Sequence, residues 1–130
     1  MIRFIPFLVL VSLLAVGAVA EDADLAPSIS AGELHDRREA GTAPVTIDVR
    51  TAEEYASGHI PGAVNIPFDE VAERIGEIDA PHGVALYCMV GPRARKGETA
   101  LRAAGVEKVF HLEGGMAAWK EAGLPIDGPK

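Results

Sequence analysis

The fold is decided by residues 84–94, whose sequence is VALYCMVGPRA. The apolar run Val84-Ala85-Leu86-Tyr87 is typical of a buried strand. It leads into Cys88, the only cysteine of the chain, and then into a short loop with Gly91 and Pro92 before a helical pattern begins. Loop N–H groups and a helix N-terminus both favour a thiolate over a thiol. The stretch therefore predicts an activated cysteine at the end of a strand.

Strands and helices alternate on both sides of this stretch. Strands are predicted at residues 45–49, 63–66, 84–88 and 109–112. Helices are predicted after capping boxes at Ser30 and Thr51, and at residues 68–78, 93–104 and 116–122. This alternation predicts an α/β fold, a single domain with a mainly parallel central sheet flanked by helices on both faces. Ligands of such sheets lie beyond the carboxyl ends of the strands, where Cys88 is placed.

The amino-terminal residues have the features of an export signal. Arg3 precedes an apolar stretch at residues 4–16, and Ala18-Val19-Ala20 has the small residues of a cleavage site. We predict a secretory signal peptide at residues 1–20 and a periplasmic or secreted product that has no membrane contact after cleavage. The alternative is an uncleaved anchor, since the apolar region approaches the roughly 20 residues of a membrane-spanning helix. A lone cysteine in an oxidising compartment has no internal partner, so Cys88 is either free and reactive or a buried apolar residue.

The rest of the chain has the size of one domain. Residues 21–29 form an acidic leader that we expect to be flexible, residues 30–126 the folded domain, and residues 127–130 a short tail. The length of 130 residues suits this single domain. A formal net charge of −7 argues against the basic surface that nucleic-acid binding requires.

Several motifs together resemble one known family. They are Ile47-Asp48-Val49-Arg50, Glu54-Tyr55, Gly58-His59-Ile60-Pro61-Gly62-Ala63, Asn65-Ile66-Pro67, Cys88-x-x-Gly91-x-Arg93 and Gly114-Gly115-x-x-x-Trp119. In this order and spacing the chain resembles a single-domain rhodanese, and it is most similar to the small periplasmic rhodaneses of the phage-shock protein E type. The resemblance implies a rhodanese-like domain without a cofactor. It also implies sulfurtransferase chemistry, in which a cysteine thiolate takes the outer sulfur of thiosulfate or a related donor and passes it from a persulfide to an acceptor such as cyanide or a thiol.

The resemblance assigns the nucleophile and the loop around it. Cys88 is the catalytic residue, and the substrate-binding loop consists of Met89, Val90, Gly91, Pro92, Arg93 and Ala94. Backbone N–H groups of this loop are expected to hold the persulfide or an anionic donor without a general base. The loop departs from the family pattern, because Met89, Val90 and Ala94 stand where charged or hydroxyl side chains are common, and because Pro92 has no N–H. We therefore expect weak thiosulfate binding and a preference for a less charged or more apolar donor.

The basic residues after the loop have two interpretations. Arg93, Arg95 and Lys96 are expected to form a positive rim that attracts anionic donors and holds the thiolate. For Arg95 and Lys96 the alternative is a solvated helix face.

Other motif residues are assigned to structure. We expect Arg50, at a strand end beside Asp48, to form an ion pair with Glu54 of the next helix. His59 is expected to shape a turn rather than act in catalysis, and Trp119 to pack in the core. No metal site is expected, since one cysteine cannot build a structural zinc site and no ligand spacing links the four histidines, His35, His59, His82 and His111.

Two other function classes stay open. One is a non-catalytic persulfide carrier or protein-binding module, in which the apolar pair Met89-Val90 faces a protein partner. The other is a cysteine phosphatase or arsenate reductase, which is less favoured because a phosphatase loop needs arginine six positions after the cysteine, where Ala94 stands. The expected partners are thus a small sulfur-containing anion or persulfide donor and a thiol or cyanide acceptor, or a protein thiol in the carrier case.

Overall fold

The computed structural model describes residues 25–129. The predicted signal peptide at residues 1–20 and the first residues of the acidic leader lie outside the described residues. Between residues 25 and 129, no helix has the length and the apolar character needed to cross a membrane.

A five-stranded parallel sheet lies at the centre of the domain. Its strands are β1 (Ser28–Ile29), β2 (Val45–Asp48), β3 (Val64–Asn65), β4 (Val84–Tyr87) and β5 (Val109–Leu112), in the spatial order β1-β5-β4-β2-β3. The middle strand is β4, and all four of its residues are buried. The predicted parallel α/β sheet is confirmed, and its central strand is the one that leads to Cys88.

Helices cover both faces of this sheet. They are α1 (Ala31–Glu39), α2 (Ala52–Ser57), α3 (Val71–Arg74), α4 (Pro92–Ala103) and α5 (Gly115–Glu121). On one face, Leu86 of β4 belongs to a buried cluster with Leu101 of α4. On the other, Tyr87 belongs to a cluster with Leu34 of α1 and Trp119 of α5. Successive residues of β4 thus bury opposite faces, as the period of a strand requires.

The two predicted capping boxes differ in outcome. At Thr51 the box is complete, since the Glu54 amide donates to Thr51 Oγ1 over 3.1 Å and the Thr51 amide donates to Glu54 Oε1 over 3.3 Å. At Ser30 only half of the box forms. Ser30 Oγ accepts from the Glu33 amide over 3.1 Å, but the Glu33 carboxylate pairs with Arg37 one turn later.

The helix predicted over residues 68–78 is shorter than expected. The amide of Phe68 donates to the carbonyl oxygen of Val49 over 3.1 Å, and the amide of Glu70 donates to that of Pro67 over 2.9 Å. These bonds form a turn that follows the strands, so α3 begins only at Val71 and then tightens into a 3-10 turn at Ile75–Glu77.

Both ends of the described chain are bound to the domain. Ser28 and Ile29, which the sequence placed in a flexible leader, form β1 and pair with His111 and Leu112 of β5. The sheet therefore begins two residues before the boundary predicted at residue 30. In the predicted tail, Asp127 exchanges two backbone hydrogen bonds with His59. The His59 amide donates to the Asp127 carbonyl oxygen over 2.8 Å, and the Asp127 amide donates to that of His59 over 2.9 Å.

Candidate active site

Cys88 follows β4 directly and is buried, with 1% of its surface exposed. Its Sγ accepts a hydrogen bond from the backbone amide of Gly91, with a nitrogen-to-sulfur distance of 3.1 Å. Gly91 has a φ of +151°, a conformation that favours glycine. Pro92 follows as the first residue of α4, where its missing N–H costs no helix hydrogen bond. Within the described residues, the loop amide that donates a hydrogen bond to the sulfur is that of Gly91.

The loop is also held by the start of α5. The amides of Met116 and Ala117 donate to the carbonyl oxygens of Cys88 and Met89, over 2.8 and 3.0 Å. A planar trans peptide points its C=O and N–H in opposite directions, so the N–H of Met89 points away from α5. Gly115 permits this approach, because a Cβ at that position would lie 2.7 Å from the carbonyl oxygen of Met89 and would also collide with that of Cys88.

Sequence reasoning missed this role of Gly115. The available signal was the pair Gly114-Gly115 in front of a helix, with φ values of +73° and +56° in the structure. Adjacent glycines at a helix start indicate a backbone that another segment approaches closely.

Arg93 pairs with Glu54 of α2. Its Nη1 and Nη2 donate to Glu54 Oε1 and Oε2 over 2.6 and 3.1 Å, a bidentate ion pair in which each side chain is 31% exposed. The hydrogen bonds from Arg93 are the largest cause that lowers the pKa of Glu54, to about 2. The predicted ion pair between Arg50 and Glu54 is therefore wrong, because Glu54 turns toward α4.

Arg50 is instead buried against Asp48. Arg50 Nη2 donates to Asp48 Oδ2 and to the carbonyl oxygen of Gly58, each over 2.7 Å. Asp48 Oδ2 also accepts from the Tyr87 hydroxyl over 2.8 Å, and that hydroxyl accepts from the amide of Ile60 over 3.1 Å. Burial, and then the nearby Asp48 charge, raise the pKa of Tyr87. This network joins the ends of β2 and β4 to the turn that follows α2.

Arg95 and Lys96 have partners elsewhere in the domain. Arg95 Nη1 donates to the carbonyl oxygen of Ala26 over 3.0 Å and lies 3.3 Å from Glu98 Oε1. Lys96 Nζ lies 5.5 Å from the ring centroid of Phe68. Each of these two side chains therefore has a contact of its own within the domain, and their part in a positive rim around the thiol stays a prediction.

A buried acid and histidine lie beside the loop, and sequence reasoning missed both. Glu98 of α4 and His111 of β5 are 1% and 6% exposed, and His111 Nδ1 lies 2.6 Å from Glu98 Oε2. Burial raises the pKa of Glu98, and the hydrogen bond with His111 opposes that effect. The histidine ring faces Gly91, whose Cβ, if present, would lie 3.6 Å away. The available signal was the position of Glu98 three residues before Leu101, which places it on the buried face of α4.

His59 and Trp119 make contacts that suit the structural roles expected of them. The His59 ring stacks on Tyr55 with 3.7 Å between centroids, and its Nδ1 lies 2.9 Å from the Tyr55 carbonyl oxygen. Trp119 is fully buried, and its Nε1 donates to the carbonyl oxygen of Pro125 over 2.7 Å. In the described part of the chain, no three His, Cys, Asp or Glu side chains come together as a metal site.

Two apolar side chains of the loop are exposed. Met89 is 36% exposed and Val90 is 61% exposed. We call Met89 and Val90 the apolar lip. Ala94, by contrast, is fully buried in the core, so its side chain does not line the surface of the site. A molecule that approaches the Cys88 sulfur is thus expected to meet apolar side chains.

Comparison with known proteins gives a family for this arrangement. Residues 30–122 match the Rhodanese-like domain family. The chain is 42% identical over 102 residues to an HTH-type transcriptional regulator of Mycobacterium tuberculosis, a match that covers 77% of this chain and 44% of the regulator. It is 37% identical over 84 residues to a sulfurtransferase of Allochromatium vinosum, which covers 65% of this chain and 78% of that protein.

A solved structure shares the fold. The crystal structure of thiosulfate sulfurtransferase from Pseudomonas aeruginosa matches 81% of this chain and 21% of its own, with 30% identity and a TM-score of 0.73. This chain therefore spans less than half of the Mycobacterium regulator and about a fifth of the Pseudomonas enzyme. The likeness to those two proteins concerns only part of each of their chains.

Proposed function

This chain belongs to the rhodanese-like domain family, and we propose that it is a sulfurtransferase that carries sulfur as a persulfide on Cys88. The observation that carries the proposal is the position of Cys88 after the central strand, with the Gly91 amide donating to Sγ over 3.1 Å. The names of the Allochromatium and Pseudomonas proteins support the same class of reaction.

The reaction consists of two sulfur transfers. In the first, the Cys88 thiolate attacks the outer sulfur of thiosulfate or a related donor, the S–S bond of the donor breaks, and sulfite leaves with the electron pair of that bond. Cys88 then carries a persulfide whose outer sulfur holds the negative charge. In the second, cyanide attacks that outer sulfur and leaves as thiocyanate, or a thiolate attacks it and leaves as a persulfide. Either acceptor returns Cys88 to its thiolate.

The backbone supplies the polar contact that this cycle uses. The Gly91 amide already donates to the sulfur, and the bonds from Met116 and Ala117 hold the two preceding carbonyl groups in place. Because this hydrogen-bond donor is already in place before the reaction, the loop needs no reorganisation when charge moves onto the outer sulfur. The site therefore supports a persulfide anion without a general base.

We extend the proposal to the place where the protein works, as an exported rhodanese of the phage-shock protein E type. The support is the sequence of residues 1–20, in which Arg3, an apolar stretch and Ala18-Val19-Ala20 follow one another. The mass of the protein recovered from a periplasmic fraction tests it: we expect the chain without residues 1–20, whereas a full-length mass in the membrane fraction indicates the anchor.

Intact-mass spectrometry tests the proposed chemistry. The purified protein is incubated with thiosulfate and, in parallel, with an organic thiosulfonate, and is then treated with cyanide. We expect the protein to gain the mass of one sulfur atom and to lose it to cyanide, while a folded Cys88→Ser variant gains nothing. A parent protein that takes up no sulfur from either donor overturns the proposal.

A further inference from the structure

The loop arginine is neutralised by a carboxylate. Glu54 occupies both terminal nitrogens of Arg93 at 2.6 and 3.1 Å, and the pair is 31% exposed on each side. Glu54 is ionised at neutral pH, since its pKa is about 2. Arg93 lies in the first turn of α4, directly after the loop that begins at Cys88, and the Cys88 charge adds to the larger effect of Glu54 in raising the pKa of Arg93. The ion pair thus belongs to the surroundings of the thiol but brings no net charge to them.

The other two cations at the start of α4 have contacts of their own. Arg95 contacts Glu98 and the carbonyl oxygen of Ala26, and Lys96 lies over the ring of Phe68. The whole chain carries a formal net charge of −7. A dianion that approaches Cys88 therefore meets a negative protein without an unmatched cation from Arg93 or Arg95 to offset it.

The surface next to the thiol is apolar instead. Met89 and Val90, the apolar lip, follow Cys88 directly and are 36% and 61% exposed. An apolar group on a sulfur donor that covers such a surface binds more favourably, because apolar surface on both sides is removed from water. Thiosulfate, S–SO₃²⁻, has no apolar group that can use this surface.

We infer that Glu54 is a specificity-determining residue: by neutralising Arg93 it selects a singly charged organic sulfane donor over the thiosulfate dianion. This inference rests on the proposed persulfide chemistry of Cys88. The choice of sulfur donor is thus set by one carboxylate on α2, the helix before β3, and not by the residues of the loop itself.

Benzenethiosulfonate, C₆H₅SO₂S⁻, is a probe of this donor class. The Cys88 thiolate attacks its outer sulfur, the S–S bond breaks, and benzenesulfinate, C₆H₅SO₂⁻, leaves with the electron pair. The product is the same Cys88 persulfide anion that thiosulfate forms with release of sulfite, so the two donors differ in charge and in the apolar ring.

The test compares kcat/KM for both donors, with cyanide as acceptor, in the parent, in Glu54→Gln and in Glu53→Gln. The amide side chain that Glu54→Gln introduces retains an oxygen that can accept a hydrogen bond from the Thr51 amide. It has no charge, so the charge of Arg93 is no longer neutralised. Glu53 is the exposed neighbour on the same helix turn, so its variant removes an equal charge without touching Arg93. Melting temperatures establish that each variant is folded.

We expect Glu54→Gln to raise kcat/KM about ten-fold for thiosulfate and about three-fold for benzenethiosulfonate, since the interaction scales with donor charge. Added salt should reduce the thiosulfate gain. Glu53→Gln should change either value by less than about two-fold. Should Glu54→Gln not fold, Arg93→Gln provides a second test: it leaves the Glu54 carboxylate without its counterion, so kcat/KM should fall about ten-fold for thiosulfate and about three-fold for benzenethiosulfonate.

The outcomes separate this inference from the proposed function. If neither donor places sulfur on Cys88, the proposed function fails and the inference fails with it. If sulfur is transferred but Glu54→Gln changes kcat/KM by the same factor for both donors, only the role of Glu54 is overturned. The same conclusion follows if Glu54→Gln changes kcat/KM no more than Glu53→Gln does. The same holds if Arg93→Gln lowers kcat/KM equally for the two donors.

Discussion

Gly115 approaches Met89 so closely that a Cβ on Gly115 would lie 2.7 Å from the carbonyl oxygen of Met89. Ala117, two residues further along α5, donates its amide to the same oxygen over 3.0 Å. The loop after Cys88 is therefore fixed by contact between two backbones. Such a contact cannot adapt to an added side chain, because close-packed interiors transmit strain rather than absorb it.

We expect Gly115→Ala to displace the loop from α5. The variant should slow persulfide formation at least about ten-fold, since small displacements of reacting groups are costly in rate. It should also lower the free energy of unfolding by about 1–3 kcal/mol more than a control, which is typical of overpacking. Single-turnover transfer from a sulfane donor and urea unfolding measure the two effects.

Gly123→Ala is the matched control. Gly123 has a φ of +71°, close to that of Gly115, but a Cβ there meets no atom within 4 Å. Both variants strain the backbone, and only Gly115→Ala adds a collision. If the two variants lose equal stability and Gly115→Ala transfers sulfur normally, the contact does not shape the loop.

The sequence predicted the parts of the fold that depend on neighbouring residues. The run at Val84–Tyr87 is fully buried and forms the central strand, because a strand covered on both faces needs apolar residues throughout. Ser28–Ile29 was not predicted as a strand, since two residues are too few to show a period of two.

Side-chain partners were harder to predict because several segments compete for one group. The position of Glu54 four residues after Arg50 suggested a local pair, yet Arg50 turns back to Asp48 and Glu54 binds Arg93, 39 residues away. The direction in which α2 leaves β2 decides this choice. That direction depends on the packing of the whole domain rather than on local spacing.

The buried pair of Asp48 and Arg50 provides a second prediction. Their side chains are 0% and 3% exposed, so Asp48→Asn leaves the guanidinium charge buried without its counterion. We expect a loss of about 3–5 kcal/mol in the free energy of unfolding, measured with urea. Glu33→Gln, which removes the carboxylate of the exposed pair with Arg37, should cost less than about 1 kcal/mol. Similar losses for both variants would contradict the buried network.

Glu54 makes the stability of the fold depend on pH. Its pKa is lowered from 4.5 to about 2 in the folded protein, chiefly by hydrogen bonds from Arg93, so the folded state binds the proton more weakly than the unfolded state. The stabilisation is therefore complete above the unfolded pKa and is lost as the pH falls from 4.5 toward about 2. Because the pair is partly exposed, we expect it to contribute about 1 kcal/mol to the free energy of unfolding at neutral pH.

Urea unfolding of Glu54→Gln at a series of pH values measures this contribution. The variant should be less stable than the parent at neutral pH, and the two curves should converge as the pH falls below the unfolded pKa of 4.5. Glu53→Gln, which leaves Arg93 paired, should follow the parent at every pH. A constant difference between Glu54→Gln and the parent would show that the charge of Glu54 is not its cause.

Thr46 offers a position where a substitution should strengthen the fold. It lies in β2 with 3% of its surface exposed, and within residues 25–129 its Oγ1 has no hydrogen-bond partner. A buried hydroxyl without a partner has lost its bonds to water and gained none in return. Thr46→Val retains the branched shape that a strand favours and removes that hydroxyl, so we expect the free energy of unfolding to rise by about 1–2 kcal/mol. Thr99→Val is the control, since Thr99 is exposed and its hydroxyl donates to the carbonyl oxygen of Arg95 over 2.9 Å. Urea unfolding should therefore show a gain for Thr46→Val and none for Thr99→Val, and a loss at Thr46 would mean that its hydroxyl is satisfied, for instance by a buried water molecule.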